Sequence, residues 1–122
     1  MEFKGILERI EPRSPERVTA LIIRSIDKRI EMELEVPNAV LNLLDKAKLK
    51  EGAKVSVNIS KKGLKADEWE LLMNGNLYLA KESEGVRVYF VSLGGLRCRI
   101  RSARKLRWKL MDKLYVGLNF IE

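Results

Sequence analysis

A chain of 122 residues, 46% hydrophobic and 34% charged, is the size of one domain and can bury a core without disulfide or metal staples, so a single domain is expected over residues 1–122. The same composition, with no long apolar run, excludes a wholly disordered chain and a membrane-spanning helix. Lys and Arg outnumber Asp and Glu by 24 to 17, a net charge of +7, which points to a polyanion or an acidic protein surface as partner.

The opening MEFKGILERIEP has no basic region followed by an apolar core, and one Cys cannot form an internal disulfide, so a cytoplasmic location is expected. Gln and His are absent while Lys, Arg and Glu abound, a bias found in ion-pair-rich proteins of thermophiles. FKGILERI and RVTALIIRS are the first candidate strands, joined through PRSPE. IEMELEVP follows SIDK and alternates strictly: Ile30, Met32, Leu34 and Val36 share one face, and Glu31, Glu33 and Glu35 share the other. PNAVLNLLDKAK changes period, with Val40, Leu43, Leu44 and Ala47 at helical spacing. A short helix is therefore expected there, capped by Asn38 and ended by Lys46, Lys48 and Lys50.

Alternation returns in KVSVNIS, then in ELLMNGNLYLA, in VRVYFVSL with Val86, Val88 and Phe90 on the apolar face, in LRCRIRS with Leu96, Cys98 and Ile100, and in KLYVGLNFI. KKGLKADE and ESEG supply polar turns, and Gly94-Gly95 can take the positive φ angles of a tight hairpin. About eight strands with one helix between the third and fourth predict an all-β fold. The expected form is a single antiparallel Greek-key barrel of the oligonucleotide- and oligosaccharide-binding (OB) type.

Catalytic signals are few. Without His the commonest general base is missing, a lone Cys has no base to activate it, and zinc sites built from Cys and His are ruled out. No cofactor, metal, small-molecule substrate or catalytic residue is expected. Cys98 shares the face of Leu96 and Ile100 and reads as an inert core residue. Glu31, Glu33 and Glu35 stand about 7 Å apart on one face, a row that reads as solvated or paired with Arg, with paired carboxylates or a hard cation as the alternative.

The basic counterpart is RCRIRSARKLRWK. Arg97, Arg99 and Arg101 should point outward, and Arg104, Lys105, Arg107 and Lys109 extend the row, making seven cations in thirteen positions without a carboxylate. Three unpaired Arg side by side repel, and a bound anion relieves the repulsion, with Tyr89, Trp108 and Tyr115 as candidate stacking partners for bases, although Trp69 and Trp108 read first as core or edge packing. The alternative is a face that is solvated or paired with the Glu row.

Several stretches together resemble a known family. MNGNLY at Met73–Tyr78 is similar to its Met-x-Gly-x-aliphatic-Tyr strand, VYFVSLGGL at Val88–Leu96 to its Gly-Gly-Leu hairpin, and DKLYVGL at Asp112–Leu118 to its last strand. ILERIEP, RVTAL, MELEVPN and LKEGAKVSVNIS match more loosely, so the likeness spans nearly the whole chain. The family is the small OB-fold barrel subunit of archaeal DNA-directed RNA polymerase, with the eighth common subunit of the eukaryotic nuclear polymerases as counterpart. The resemblance implies a non-catalytic OB-type barrel that docks on the largest polymerase subunit. Tyr89, Ser92, Leu93, Gly94, Gly95 and Leu96 are then expected in the docking surface, because the clearest motif lies there. Arg97, Arg99, Arg101, Arg104, Lys105, Arg107 and Lys109 form a basic face toward nucleic acid or an acidic partner. A free-standing OB-fold binder of single-stranded nucleic acid is the alternative.

Overall fold

A computed structural model describes residues 1–14 and 17–121; Pro15 and Glu16 of the PRSPE turn lie outside the described residues. Eight strands form a closed antiparallel barrel: β1 (Glu2–Arg13), β2 (Val18–Ser25), β3 (Ile30–Pro37), β4 (Lys54–Ser60), β5 (Leu71–Ser83), β6 (Val86–Leu93), β7 (Leu96–Ser102) and β8 (Lys113–Ile121). Their order around the barrel is β1-β2-β3-β7-β6-β5-β8-β4. Two meanders, β1–β2–β3 and β5–β6–β7, are thus joined by the non-sequential pairs β3–β7, β1–β4, β4–β8 and β5–β8. The fold is the expected all-β, OB-like barrel. No helix among the described residues is long and apolar enough to cross a membrane.

Alternation builds the core wherever one face of a strand is polar. On β3, Ile30, Met32, Leu34 and Val36 are all buried, as are Val55, Val57 and Ile59 on β4. β6 departs from expectation by one residue: Tyr89, Val91 and Leu93 are buried, whereas Val86, Val88 and Phe90 lie on the outer face. Both parities of VRVYFVSL are apolar, so alternation does not choose between them. Pairing does, because Tyr89 stands opposite Ile100 and Val91 opposite Cys98, which already face inward on β7.

The helix also differs from expectation. α1 covers only Asn38–Leu41, with Pro37 at the N-cap position and no side-chain cap. Asn38 instead accepts a hydrogen bond at Oδ1 from the Thr19 hydroxyl, 2.7 Å away, tying α1 to β2. Asp45 then turns the chain by accepting from the Ala47 N–H at 2.9 Å. Lys46, Lys48 and Lys50 therefore follow a turn and offset no helix end. Leu41 is buried, with Val40 and Leu44 packed against the same core, while Leu43 is 85% exposed.

One tight turn and one close approach position the strands. Gly94 and Gly95 take φ of +61° and +91°, the primed turn that joins β6 to β7. Gly75 lies where β5 crosses from β8 to β6. A Cβ there would overlap the Ser92 carbonyl oxygen and stand 2.6 Å from its carbon and 3.0 Å from the Leu93 Cα.

Candidate functional site

The outer surface of β3 and β7 brings the Glu row against the Arg row, since Glu31 pairs in register with Arg101 and Glu33 with Arg99. The carboxylates are nevertheless held chiefly from the other side. Arg13 at the end of β1 donates from Nη1 to Glu35 Oε2 and from Nη2 to Glu33 Oε1, both at 2.8 Å. Arg24 on β2 donates to Glu31 Oε2 at 3.1 Å and lies 3.3 Å from Glu8. Arg99 reaches Glu31 at 3.8 Å and Arg97 reaches Glu35 at 3.7 Å. The result is a lattice of alternating charge across four strands.

Arg97 and Arg99 are therefore ion-paired with the Glu row, as in the alternative reading of this face, and are not the unpaired guanidinium groups that the anion-binding reading requires. The reason is topological: β3 and β7 are far apart in sequence, and only barrel closure places Glu opposite Arg. Glu35 is the centre of the lattice. Its side chain is buried, and Oε1 also accepts from the Arg97 backbone N–H at 2.8 Å. Burial opposes the charged form of Glu35, but the Arg97 N–H and the Arg13 guanidinium outweigh it and hold its pKa below the usual glutamate value.

The stacking and docking residues nominated from sequence divide sharply. Tyr89 is fully buried, accepting from the Leu106 N–H at 3.1 Å and donating to the Leu106 carbonyl at 3.4 Å. As a core residue it belongs to neither a docking nor a stacking surface, which corrects both expectations. Trp108 packs edge-on against Tyr89 at 5.1 Å, and Lys113 covers Tyr115 at 5.3 Å. Leu93 is buried as well; Ser92 and Leu96 are half-buried, and only Gly94 and Gly95 of that group are exposed. Burial also pushes the Cys98 thiol up to about 12. Native protein at neutral pH should resist a thiol-directed disulfide reagent and react once denatured, whereas rapid native labelling would contradict the buried placement.

A surface that sequence reasoning missed lies on β5 and β6. Phe90, on the outer face, stands between Arg99 of β7 and Leu79 of β5. The Tyr78 ring lies 6.3 Å from the Phe90 ring, and Lys81 Nζ stands 6.0 Å above the Phe90 ring centre. Tyr78 and Leu79 are exposed, as are Leu110 and Met111, the latter donating its N–H to the Leu77 carbonyl at 2.7 Å. Beyond Leu77, β5 pairs with β6 on one side; among the described residues its other edge, Tyr78–Ser83, carries no backbone partner. The signal was legible only as the length of β5 relative to β8, since the bend is made by Gly75.

No family model matches the chain, and no curated protein matches it. Among solved structures it is similar to the molybdate-bound form of the cytoplasmic molybdate-binding protein ModG, at 14% identity and a TM-score of 0.39, covering 99% of this chain and 93% of that one. That likeness is too distant to carry over what ModG binds.

Of the expected basic face, Arg97, Arg99 and Arg101 do point outward from β7. Arg104, Lys105, Arg107 and Lys109 do not continue the strand. They lie on a strap, residues 103–112, that leaves β7 and returns to β8. The strap is pinned by Tyr89 and by Ser102, whose hydroxyl accepts from the Arg104 N–H at 3.0 Å and donates to the Arg104 carbonyl at 2.7 Å.

Proposed function

We propose that the chain is a non-catalytic accessory subunit of an archaeal DNA-directed RNA polymerase, acting in the cytoplasm by docking on the largest subunit and supporting assembly or stability. The observation that carries the docking role is the unpaired Tyr78–Ser83 edge beside exposed Tyr78, Leu79, Leu110 and Met111. An exposed strand edge with aromatic and aliphatic neighbours is a template for pairing with another chain. Assignment to a polymerase rests on the resemblance in Met73–Tyr78, Val88–Leu96 and Asp112–Leu118. Two of those motifs have a physical reason here: Gly75 admits the β5–β6 crossing, and Gly94-Gly95 makes the primed turn.

Affinity purification of the tagged chain from its native source is expected to bring down the large polymerase subunits. Tyr78→Asp with Leu79→Asp should weaken that capture by about 2 kcal/mol or more, roughly thirtyfold. Capture undiminished by the pair of substitutions would move the interface elsewhere, and absence of polymerase subunits from the eluate would overturn the reading.

A further inference from the structure

The charge lattice leaves a distinct group of cations outside it. Among the described residues, Lys28, Arg29, Arg101, Arg104, Lys105 and Arg107 have no carboxylate within ion-pair distance. They come from three segments: the β2–β3 turn, the end of β7 and the strap. The segments are joined at one end of the barrel, where the Ala103 N–H donates to the Arg29 carbonyl at 3.0 Å. A depression of about 220 Å³ lies between them, lined in part by Lys28, Arg29, Arg101 and Ala103. A second depression adjoins Arg104, Lys105 and Arg107.

The acidic groups nearby, Asp27, Glu31 and Glu2, are each hydrogen-bonded or ion-paired and are outnumbered by the cations. Asp27 accepts from the Ser25 hydroxyl at 2.6 Å and from the Arg29 N–H at 3.0 Å. Glu31, which also lines the first depression, is held by Arg24, and Glu2 accepts from Asn58. The backbone carrying the cations is fixed before any ligand arrives. Ser102 clamps Arg104, Tyr89 clamps Leu106, and four residues of extended strap from Arg104 to Arg107 span roughly 10 Å.

We propose that this end of the barrel is a docking site for the phosphate backbone of a nucleic acid, read by charge and without base recognition. Two observations favour nucleic acid over an acidic protein. Protein interfaces place apolar groups at the centre and charges at the rim, whereas here Lys and Arg make up most of the lining of the two depressions, with Val86 and Ala103 as the apolar side chains of the first and Met1 and Leu106 as those of the second. Cations drawn from three segments face outward separately, which suits a polymer presenting one charge per residue. The aromatic side chain nearest the strap cations, Trp108, is occupied by Tyr89, so contact with phosphate rather than base stacking is the mode. The site goes beyond the docking role and is independent of it, since it uses none of the β5 edge.

The test uses the full chain with a short fluorescent DNA duplex and with labelled oligothymidylate, followed by anisotropy across a salt series. Four phosphate contacts give a slope of log affinity against log salt of about −3.6 for duplex and about −2.8 for single strand. Replacing Lys28, Arg29, Arg101 and Arg104 together with Ala should weaken binding at least a hundredfold near 0.1 M salt, since each contact is worth roughly tenfold there. Arg97→Ala with Arg99→Ala should change it by less than about threefold, because those side chains are committed to Glu35 and Glu31. Circular dichroism of each variant checks folding, and Lys28→Ala with Lys105→Ala and Arg107→Ala, whose side chains make no hydrogen bond or ion pair among the described residues, provides a second route if the first set misfolds. Binding that is absent, insensitive to salt, or equally weakened by the Arg97 and Arg99 pair would overturn the site. Displacement of the DNA by polyglutamate at equal charge concentration would overturn it in favour of an acidic protein surface.

Discussion

Gly75→Ala is expected to destabilise the barrel by about 3 kcal/mol or more, or to prevent folding, although it adds one methyl group. The new Cβ would press on the Ser92 carbonyl group and the Leu93 Cα, which are backbone and cannot swing aside. To make room, β5 would have to separate from β6 at the point where β5 changes partner, which strains both pairings at once. Gly63→Ala is the control, since its nearest neighbour would be the Tyr115 ring at 4.0 Å and its φ is unexceptional; it should be neutral or slightly stabilising. Urea unfolding of both variants decides the matter. A Gly75→Ala midpoint within experimental error of wild type would show that the crossing is looser than its geometry.

The second large effect is expected at Glu35. Glu35→Ala removes the acceptor for the Arg97 N–H and one of the two carboxylates that hold Arg13, and should cost about 2–3 kcal/mol at neutral pH. Glu35→Gln keeps an acceptor oxygen and loses the charge, so it should cost about 1 kcal/mol. The pH dependence has a definite sign. Folding lowers the Glu35 pKa below the ordinary value of 4.5, so its contribution is complete above that value and disappears as pH falls through the lower folded value. Thermal stability of the wild type should drop on acidification below about pH 4.5, and Glu35→Gln should make that drop shallower. Part of the acid limb persists in the variant because Asp27, held by the Ser25 hydroxyl, and Asp112, held by the Lys109 N–H, are also lowered. Identical acid limbs in the two proteins would remove Glu35 from the account.

Where alternation separated polar from apolar faces, the fold was readable residue by residue. β3 and β7 each place their inward residues as the pattern requires, because exposing Met32 or burying Glu33 would carry a cost that nothing else offsets. β6 was not readable in this way, since Val86, Val88 and Phe90 are as apolar as Tyr89, Val91 and Leu93. Its inner face is chosen by its neighbour on β7, a fact about pairing. That single-residue difference moved Tyr89 into the core and brought out Phe90.

The candidate surfaces follow the same division. The outward direction of Arg97, Arg99 and Arg101 was legible from local periodicity, but their partners were not, because β3 meets β7 only through barrel closure and Arg13 arrives from β1. The grouping of Lys28 and Arg29 with Arg101 and Arg104 depends on the β3–β7 ladder, which pairs Ile30 with Ser102 and is continued by the Ala103–Arg29 backbone hydrogen bond, between segments some seventy residues apart in sequence. Gly75 was visible as part of a motif, while its cause, the carbonyl of Ser92, lay in a different strand.

The contact between Trp108 and Tyr89 has an optical consequence. The chain has two tryptophans, of which Trp69 covers Gly117 on β8 and Trp108 sits on the strap with its ring 5.1 Å from the Tyr89 ring. Trp108 is half-buried against that phenol, so its own indole emission depends on how the strap packs on the core. The molecule thereby carries an intrinsic fluorophore beside its unpaired cations, placed to register a ligand's arrival without an attached dye.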